Sequence, residues 1–136
     1  MREIKFRAYV LGKMYEVRDM AWDNGDLTIF TDGGWMSLPD DNASLMQYTG
    51  LKDKNGKKIY EGDILLQKDA AVWEEYIKDD GTKWSRQTKQ KQDYKYCVYF
   101  DNRTAQFTTT KNWLWLLGQV AEIIGNIHDN PELKEE

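Results

Sequence analysis

The chain has 136 residues and a net charge of −4, enough for one domain or a core with a small subdomain, and too acidic for nucleic acid to be the default partner of its whole surface. Hydrophobic residues make up 40% and charged residues 31%, an ordinary balance for a soluble globular protein, and no run approaches the roughly 18 apolar residues that a membrane helix needs. Cys97 is the only cysteine, so no intrachain disulfide forms, and Met1–Lys5 lacks the apolar core of a signal peptide; both features fit a reducing cytoplasm.

Aromatic residues reach 13%, which favours half-buried pleated strands and hence a mainly β protein. Arg2–Tyr9 alternates, with Ile4, Phe6 and Ala8 on one face and Glu3, Lys5 and Arg7 on the other, the pattern of a half-buried strand. Gly12-Lys13 interrupts it and Met14–Val17 returns as a second short strand. Asp23-Asn24-Gly25-Asp26 is a hairpin turn ahead of a strand at Leu27–Thr31, which Gly33-Gly34 ends; Trp35–Leu38 is a short apolar piece stopped by Pro39. Asp41 or Asn42 could cap one helical turn over Ala43–Met46, and a soft boundary falls at this joint, dividing an N-terminal β meander (residues 1–42) from the rest (residues 43–136), although the two could behave as one compact unit.

The densest cluster of signals is Leu45–Leu66. Its polar centre holds Asn55-Gly56, a pair that readily takes positive φ at both positions, and Tyr60-Glu61-Gly62-Asp63-Ile64 forms a tight corner feeding a β run. Asn55, Gly56, Gly62 and Asp63 are therefore expected to be architectural. The strand continues through Ile64–Gln67 into the unusual segment at residues 68–92. A two-residue turn at Asp80-Gly81 would pair Ile77 with Trp84, Glu75 with Arg86 and Trp73 with Thr88, each pair worth about 0.2–1 kcal/mol. A helix competes, because Val72/Tyr76 and Trp73/Ile77 have i,i+4 spacing; the cross-strand agreement favours a long hairpin arm. Tyr94–Phe100 is a strand with Tyr94, Tyr96, Val98 and Phe100 on one face, and Asp101–Thr104 turns it into Ala105–Thr109. Trp113–Leu117 is wholly apolar and expected to be buried. Ala121–His128 reads as a final strand closed by Asn130-Pro131.

Catalytic and metal chemistry find little footing. His128 and Cys97 are the only candidates for a nucleophile pair, and a lone strand cysteine is usually a small packed hydrophobe. One His and one Cys cannot fill a zinc site, and Asp53-Lys54-Asn55-Gly56 echoes a calcium loop without its bidentate Glu. Neither a catalytic residue, a metal nor a cofactor is therefore expected. The basic part of the arm is more informative: Lys83, Arg86, Lys89 and Lys91 occur without an acid between Gly81 and Gln92, with Trp84 among them. Cations track phosphates and an aromatic can stack on an unpaired base. An arm bearing Trp73, Tyr76, Ile77 and Trp84 also exposes more apolar surface than a monomer ordinarily leaves uncovered.

Arg2–Ala8, Met46–Leu51 with Asp53–Gly56 and Ile59–Ile64, and Ile124–Leu133 together resemble the YopX family of phage and prophage proteins. The match covers both ends and the centre in order; His128-Asp129 stands where the family usually has Tyr-Glu, and residues 68–92 match no motif of it. The resemblance implies a mainly β fold whose second part is a small SH3-like barrel, and a setting in the cytoplasm of a bacterial host. It implies no assigned activity and no catalytic residues. The expectation is a non-catalytic accessory protein that binds a host or phage protein, or its own copies in a homo-oligomer, through Trp73, Tyr76, Trp84, Lys83, Arg86, Lys89 and Lys91. The alternative is a nucleic-acid-associated protein using the same basic arm. No membrane association is expected.

Overall fold

The computed structural model describes residues 3–38, 43–104, 106–109 and 119–133. Eleven strands and one 3-10 turn follow one another among them: β1 Phe6–Val10, β2 Lys13–Val17, β3 Asp19–Asp23, β4 Asp26–Thr31, β5 Gly34–Ser37, β6 Ala43–Lys52, β7 Lys58–Tyr60, β8 Asp63–Ile77, β9 Lys83–Asp101, β10 Gln106–Thr109, β11 Glu122–Asn126 and the 3-10 turn Pro131–Leu133. The protein is mainly β, as its aromatic and β-branched content requires, and no helix among these residues is long and apolar enough to cross a membrane.

Three sheets are formed among the described residues, with strand orders β2-β1-β6-β7, β3-β4-β5 and β10-β9-β8-β11, and the architecture includes a sheet curled into a half-barrel. Two apolar clusters lie between them. Ala8, Val10 and Ile29 are buried in the first, packed by Tyr15, Val17, Leu27, Met36 and Leu45. Ile59, Leu65, Tyr96, Val98 and Ala121 fill the second, with Leu51, Phe107 and Ile123 against them. Long β6 serves both: its first half pairs with β1, Val10 opposite Ala43 through Phe6 opposite Gln47, and its second half pairs with β7. The alternation read at Tyr94–Phe100 holds for Tyr96 and Val98, which are buried; Phe100 stays 41% exposed and meets Phe107 edge-on at 5.1 Å.

The turns carry the left-handed backbone conformations. Asn24 (φ 52°) and Gly25 (φ 88°) form the two-residue connection between β3 and β4, whose primed geometry matches the twist of the strands it joins. Leu11 (φ 49°) and Gly12 (φ 85°) do the same between β1 and β2.

Three expectations are corrected. Ala43–Met46 is strand, not a capped helical turn; Asp41 and Asn42 lie outside the described residues. One helical turn satisfies few backbone groups, whereas β1 offers Ala43–Met46 a full antiparallel ladder and a place for Leu45 in the first cluster. At Asn55-Gly56 only Gly56 (φ 80°) is left-handed. The Gly56 amide bonds Asp53 O and the Asp53 amide bonds Lys57 O, which makes a three-residue loop closed by a glycine bulge.

The third correction is the register beyond Ala71. β8 and β9 pair through Trp73–Gln87, Glu74–Arg86, Glu75–Ser85, Tyr76–Trp84 and Ile77–Lys83, so this segment is strand, one residue out of the expected alignment. The loop holds Asp79, Asp80 and Gly81, with Lys78 N to Thr82 O and Gly81 N to Lys78 O, because Gly81 (φ 85°) alone takes the left-handed position. Trp113–Leu117 falls outside the described residues.

Candidate functional site

The corner at Tyr60–Asp63 is where the strands are tied together. Gly62 (φ 84°) lets the chain reverse; its amide bonds Val98 O on β9 and its carbonyl accepts from Ile127 N, just past β11. Glu61 exchanges bonds with β6, its amide donating to Gln47 O and its Oε1 accepting from Gln47 N at 2.9 Å. Asp63, only 2% exposed, takes the Tyr60 amide on Oδ2 at 2.8 Å and Arg7 Nη2 on Oδ1 at 2.7 Å. Arg7 projects from β1 and its Nη2 also donates to Glu61 O; the guanidinium lies 4.8 Å over the Tyr60 ring. Burial pushes the Asp63 carboxyl above the usual carboxylate range, and Arg7 and the Tyr60 amide draw it back only in part. A short ion pair of this kind locks β1 to the start of β8 (only 15% of the Arg7 side chain is exposed).

Asp53 performs a parallel task at the other end of β7. Its Oδ1 accepts from the Asn55 and Lys57 amides, both at 2.9 Å, and its Oδ2 from the Ile123 amide of β11 at 3.0 Å. Burial pushes this carboxyl up, but the three amides outweigh it and hold it below the usual range. Both oxygens are thus committed to backbone donors.

Beside Asp63 a cleft of about 450 Å³ opens, bordered by Arg7, Lys57, Lys58, Tyr60, Asp63 and residues 123–126 of β11. Sequence reading missed it, because Arg7 sits in the polar half of an alternating strand and nothing local marks it as buried.

The distal β8–β9 ribbon is where the sequence placed its binding residues. Directly opposed residues share a face, so the observed register divides them. Tyr76, Trp84 and Arg86 stand together with Glu74 and Lys78. Arg86 Nε bonds Glu74 Oε1 at 2.6 Å while its guanidinium covers Tyr76 at 4.8 Å; Lys78 Nζ lies 3.7 Å from the centre of the Trp84 ring, whose Nε1 donates to Thr82 Oγ1. Trp73 and Ile77 occupy the opposite face with Glu75, Lys83 and Ser85, and are 61% and 68% exposed. Lys89 lies in the bulge where the extra residues of β9 sit, and Lys91 faces Ala71. Lys83, Lys89 and Lys91 enter no ion pair among the described residues.

The remaining chemical candidates are packed into the scaffold. His128 stacks on Tyr9 with centroids 4.7 Å apart, and Cys97 faces Ile64 across the β8–β9 ladder.

No curated protein matches this chain. Among solved structures, protein EF1440 from Enterococcus faecalis is similar in sequence and fold, at 26% identity and a TM-score of 0.64 over 99% of this chain and 100% of that one. A family model described as YopX protein matches residues 5–135, so that β1, the Tyr60–Asp63 corner and the β11 terminus all fall inside it. With the match running over nearly its whole length, the chain belongs to the YopX family.

Proposed function

We propose that this protein is a non-catalytic phage or prophage accessory protein, working in the host cytoplasm by binding a protein partner or its own copies. In this reading β6 to β11 make an SH3-like barrel and the distal β8–β9 ribbon is an arm that carries the contact surface. The observation that supports it most is the face bearing Trp73 and Ile77, two large apolar side chains 61% and 68% exposed on a ribbon with no third strand among the described residues. Water-facing apolar groups of this size gain free energy when covered, at about 25 cal/mol per Å² removed from water.

The ribbon's other face supports the nucleic-acid reading less well. Its Arg86 is already neutralised by Glu74 and its Trp84 ring already carries a lysine. Lys83, Lys89 and Lys91 are what that reading retains, and they are spread over the ladder and its bulge.

The test compares the wild type with Trp73→Ser/Ile77→Ser. Light scattering at tens of micromolar reads self-association against the 16.0 kDa of one chain, and affinity capture from host cells reads a heterologous partner. A larger mass, or a captured protein, that disappears in the variant supports the proposal. Identical masses and identical captured proteins for both would end it. Salt-sensitive binding to single-stranded DNA that falls with Lys83→Glu/Lys91→Glu would favour the nucleic-acid reading instead.

A further inference from the structure

The cleft between β7 and β11 holds more positive charge than the fold consumes. Arg7 spends Nη2 on Asp63 and on the Glu61 carbonyl. Its Nε is buried and has no partner among the described residues, so the hydrogen-bonding capacity of the guanidinium is only partly used. Lys58 is held by Glu3 at 3.1 Å, whereas Lys57, exposed on the turn, enters no ion pair among the described residues. Both cations act on the Asp63 carboxyl that borders the cleft: it is ion-paired with Arg7, and Arg7 and Lys57 each draw it down against the burial that raises it, so that Lys57 is the cation left unpaired among the described residues.

The rest of the lining narrows the chemistry. Tyr60 is the only aromatic in it, and that ring already carries Arg7 at 4.8 Å and Tyr48 at 5.6 Å, which leaves no clean platform for a nucleobase. Ile123 and Ile124 form an apolar border. Asn126 contributes little polarity, since its Oδ1 accepts from the His128 and Asp129 amides and its Nδ2 donates to Asp129. About 450 Å³ falls within the range of small-molecule sites.

We propose that this cleft binds a compact oxyanion, a carboxylate or phosphate group on a short apolar stem, with Arg7 and Lys57 as its cations and Ile123 and Ile124 beside the stem. Arg7 is suited to this because Asp63 and Glu61 fix its guanidinium before any ligand arrives, so little side-chain freedom is lost on binding. The site is independent of the distal ribbon and does not rest on the binding role proposed for it.

Titration of the whole protein with butyrate, and separately with inorganic phosphate, followed by amide chemical shifts, tests this. Saturable shifts centred on residues 57–60 and 123–126 are expected with at least one probe, and the probe that binds identifies the group. Lys57→Glu should weaken binding about tenfold or more, the scale of one charge-assisted contact, and Lys57→Ala should weaken it less. Lys95→Glu makes the same charge change at an exposed position of β9 that does not line the cleft and should leave affinity within about twofold, because salt screens charges that make no direct contact. Failure of both probes to saturate, equal weakening by Lys57→Glu and Lys95→Glu, or shifts scattered over the lysines generally would overturn the proposal.

Discussion

Asp53 should be among the most costly polar side chains to remove from this protein. It is 6% exposed and accepts three backbone amides, two within its own turn and one, Ile123, from β11, seventy residues away in sequence. Hydrogen bonds to a charged group contribute about 1.5–3 kcal/mol each, and the two turn amides regain part of that from water once the carboxylate is gone. Asp53→Ala should therefore cost about 3–5 kcal/mol, a large share of the roughly 5–15 kcal/mol that holds a domain together. Asp53→Asn separates the contributions. Its amide oxygen can still serve Asn55 and Lys57 from the Oδ1 position, but it turns an N–H towards the Ile123 amide, so about 1–3 kcal/mol should be lost at the β11 contact alone.

The pH dependence supplies a second handle. The native carboxyl titrates below its ordinary value of 3.8, so its stabilisation is fully present above that pH and is lost as pH falls through the lower native value. The stability gap between wild type and Asp53→Asn should accordingly be constant near neutrality and close as the solution is acidified below 3.8. Urea denaturation followed by tryptophan fluorescence at a series of pH values measures both quantities, and amide exchange at Ile123 locates the loss. An Asp53→Ala cost below about 1 kcal/mol, the net worth of a single ordinary hydrogen bond, or a gap that does not narrow in acid, would refute the assignment.

Three further outcomes follow from the same frame. Arg7→Met leaves the Asp63 carboxylate buried without its cation and should cost about 3–5 kcal/mol by urea denaturation, with Arg7→Met/Asp63→Asn recovering part of the loss. Gly62→Ala must hold φ +84° with its new methyl 3.1 Å from Met46 Sδ, whereas Gly56→Ala at φ +80° meets open space; the second should cost about 1–2 kcal/mol from backbone strain and the first measurably more, read as melting temperatures. Burial holds His128 below its ordinary pKa of 6.5, and the nearby Arg7 charge adds to this against the pull of Asp129. The unfolded chain therefore binds the proton more readily, stability falls as pH drops through 6.5, and His128→Gln should flatten that part of the profile; the single histidine makes the titration directly visible by NMR.

Much of the fold was legible because its signals are local. Alternation marked β1 from Phe6 onward, although Ile4, read as part of its apolar face, is 68% exposed ahead of the strand; it also marked the Tyr96–Val98 part of β9, and Asn24-Gly25 marked its hairpin, since a two-residue connection leaves little else for that pair to do. The failures share one cause. Ala43–Met46 reads as a capped turn only until β1 is brought alongside, and the β8–β9 register shifts by one because Asp80-Gly81 supports a loop of two or three residues equally well on paper. The slip moves Trp84 and Arg86 from the face of Trp73 and Ile77 to that of Tyr76, and the seven residues grouped by sequence as one surface divide between two faces and a bulge.

The cleft was hidden for a deeper reason. Glu3, Lys5 and Arg7 are indistinguishable as the polar side of a strand, and two of them do remain at the surface in a shared ion pair. Arg7 is drawn further in, to 15% side-chain exposure, because the corner at Glu61–Asp63, more than fifty residues later, folds over it and presents a carboxylate and a carbonyl at the height of its guanidinium. That partnership depends on Gly62 being able to reverse the chain, which places Asp63 beside β1 while the Gly62 backbone engages β9 and the segment after β11. The corner thus does more than end one strand and begin another. By holding Arg7 fixed through Nη2, it sets a preformed guanidinium at the edge of a cleft whose second cation, Lys57, is presented by the turn that Asp53 braces. Scaffold and candidate site are made by the same two carboxylates, so substitutions at Asp53 or Asp63 should disturb anion binding and stability together, while Lys57, whose exposed side chain makes no ion pair among the described residues, should disturb binding more than stability.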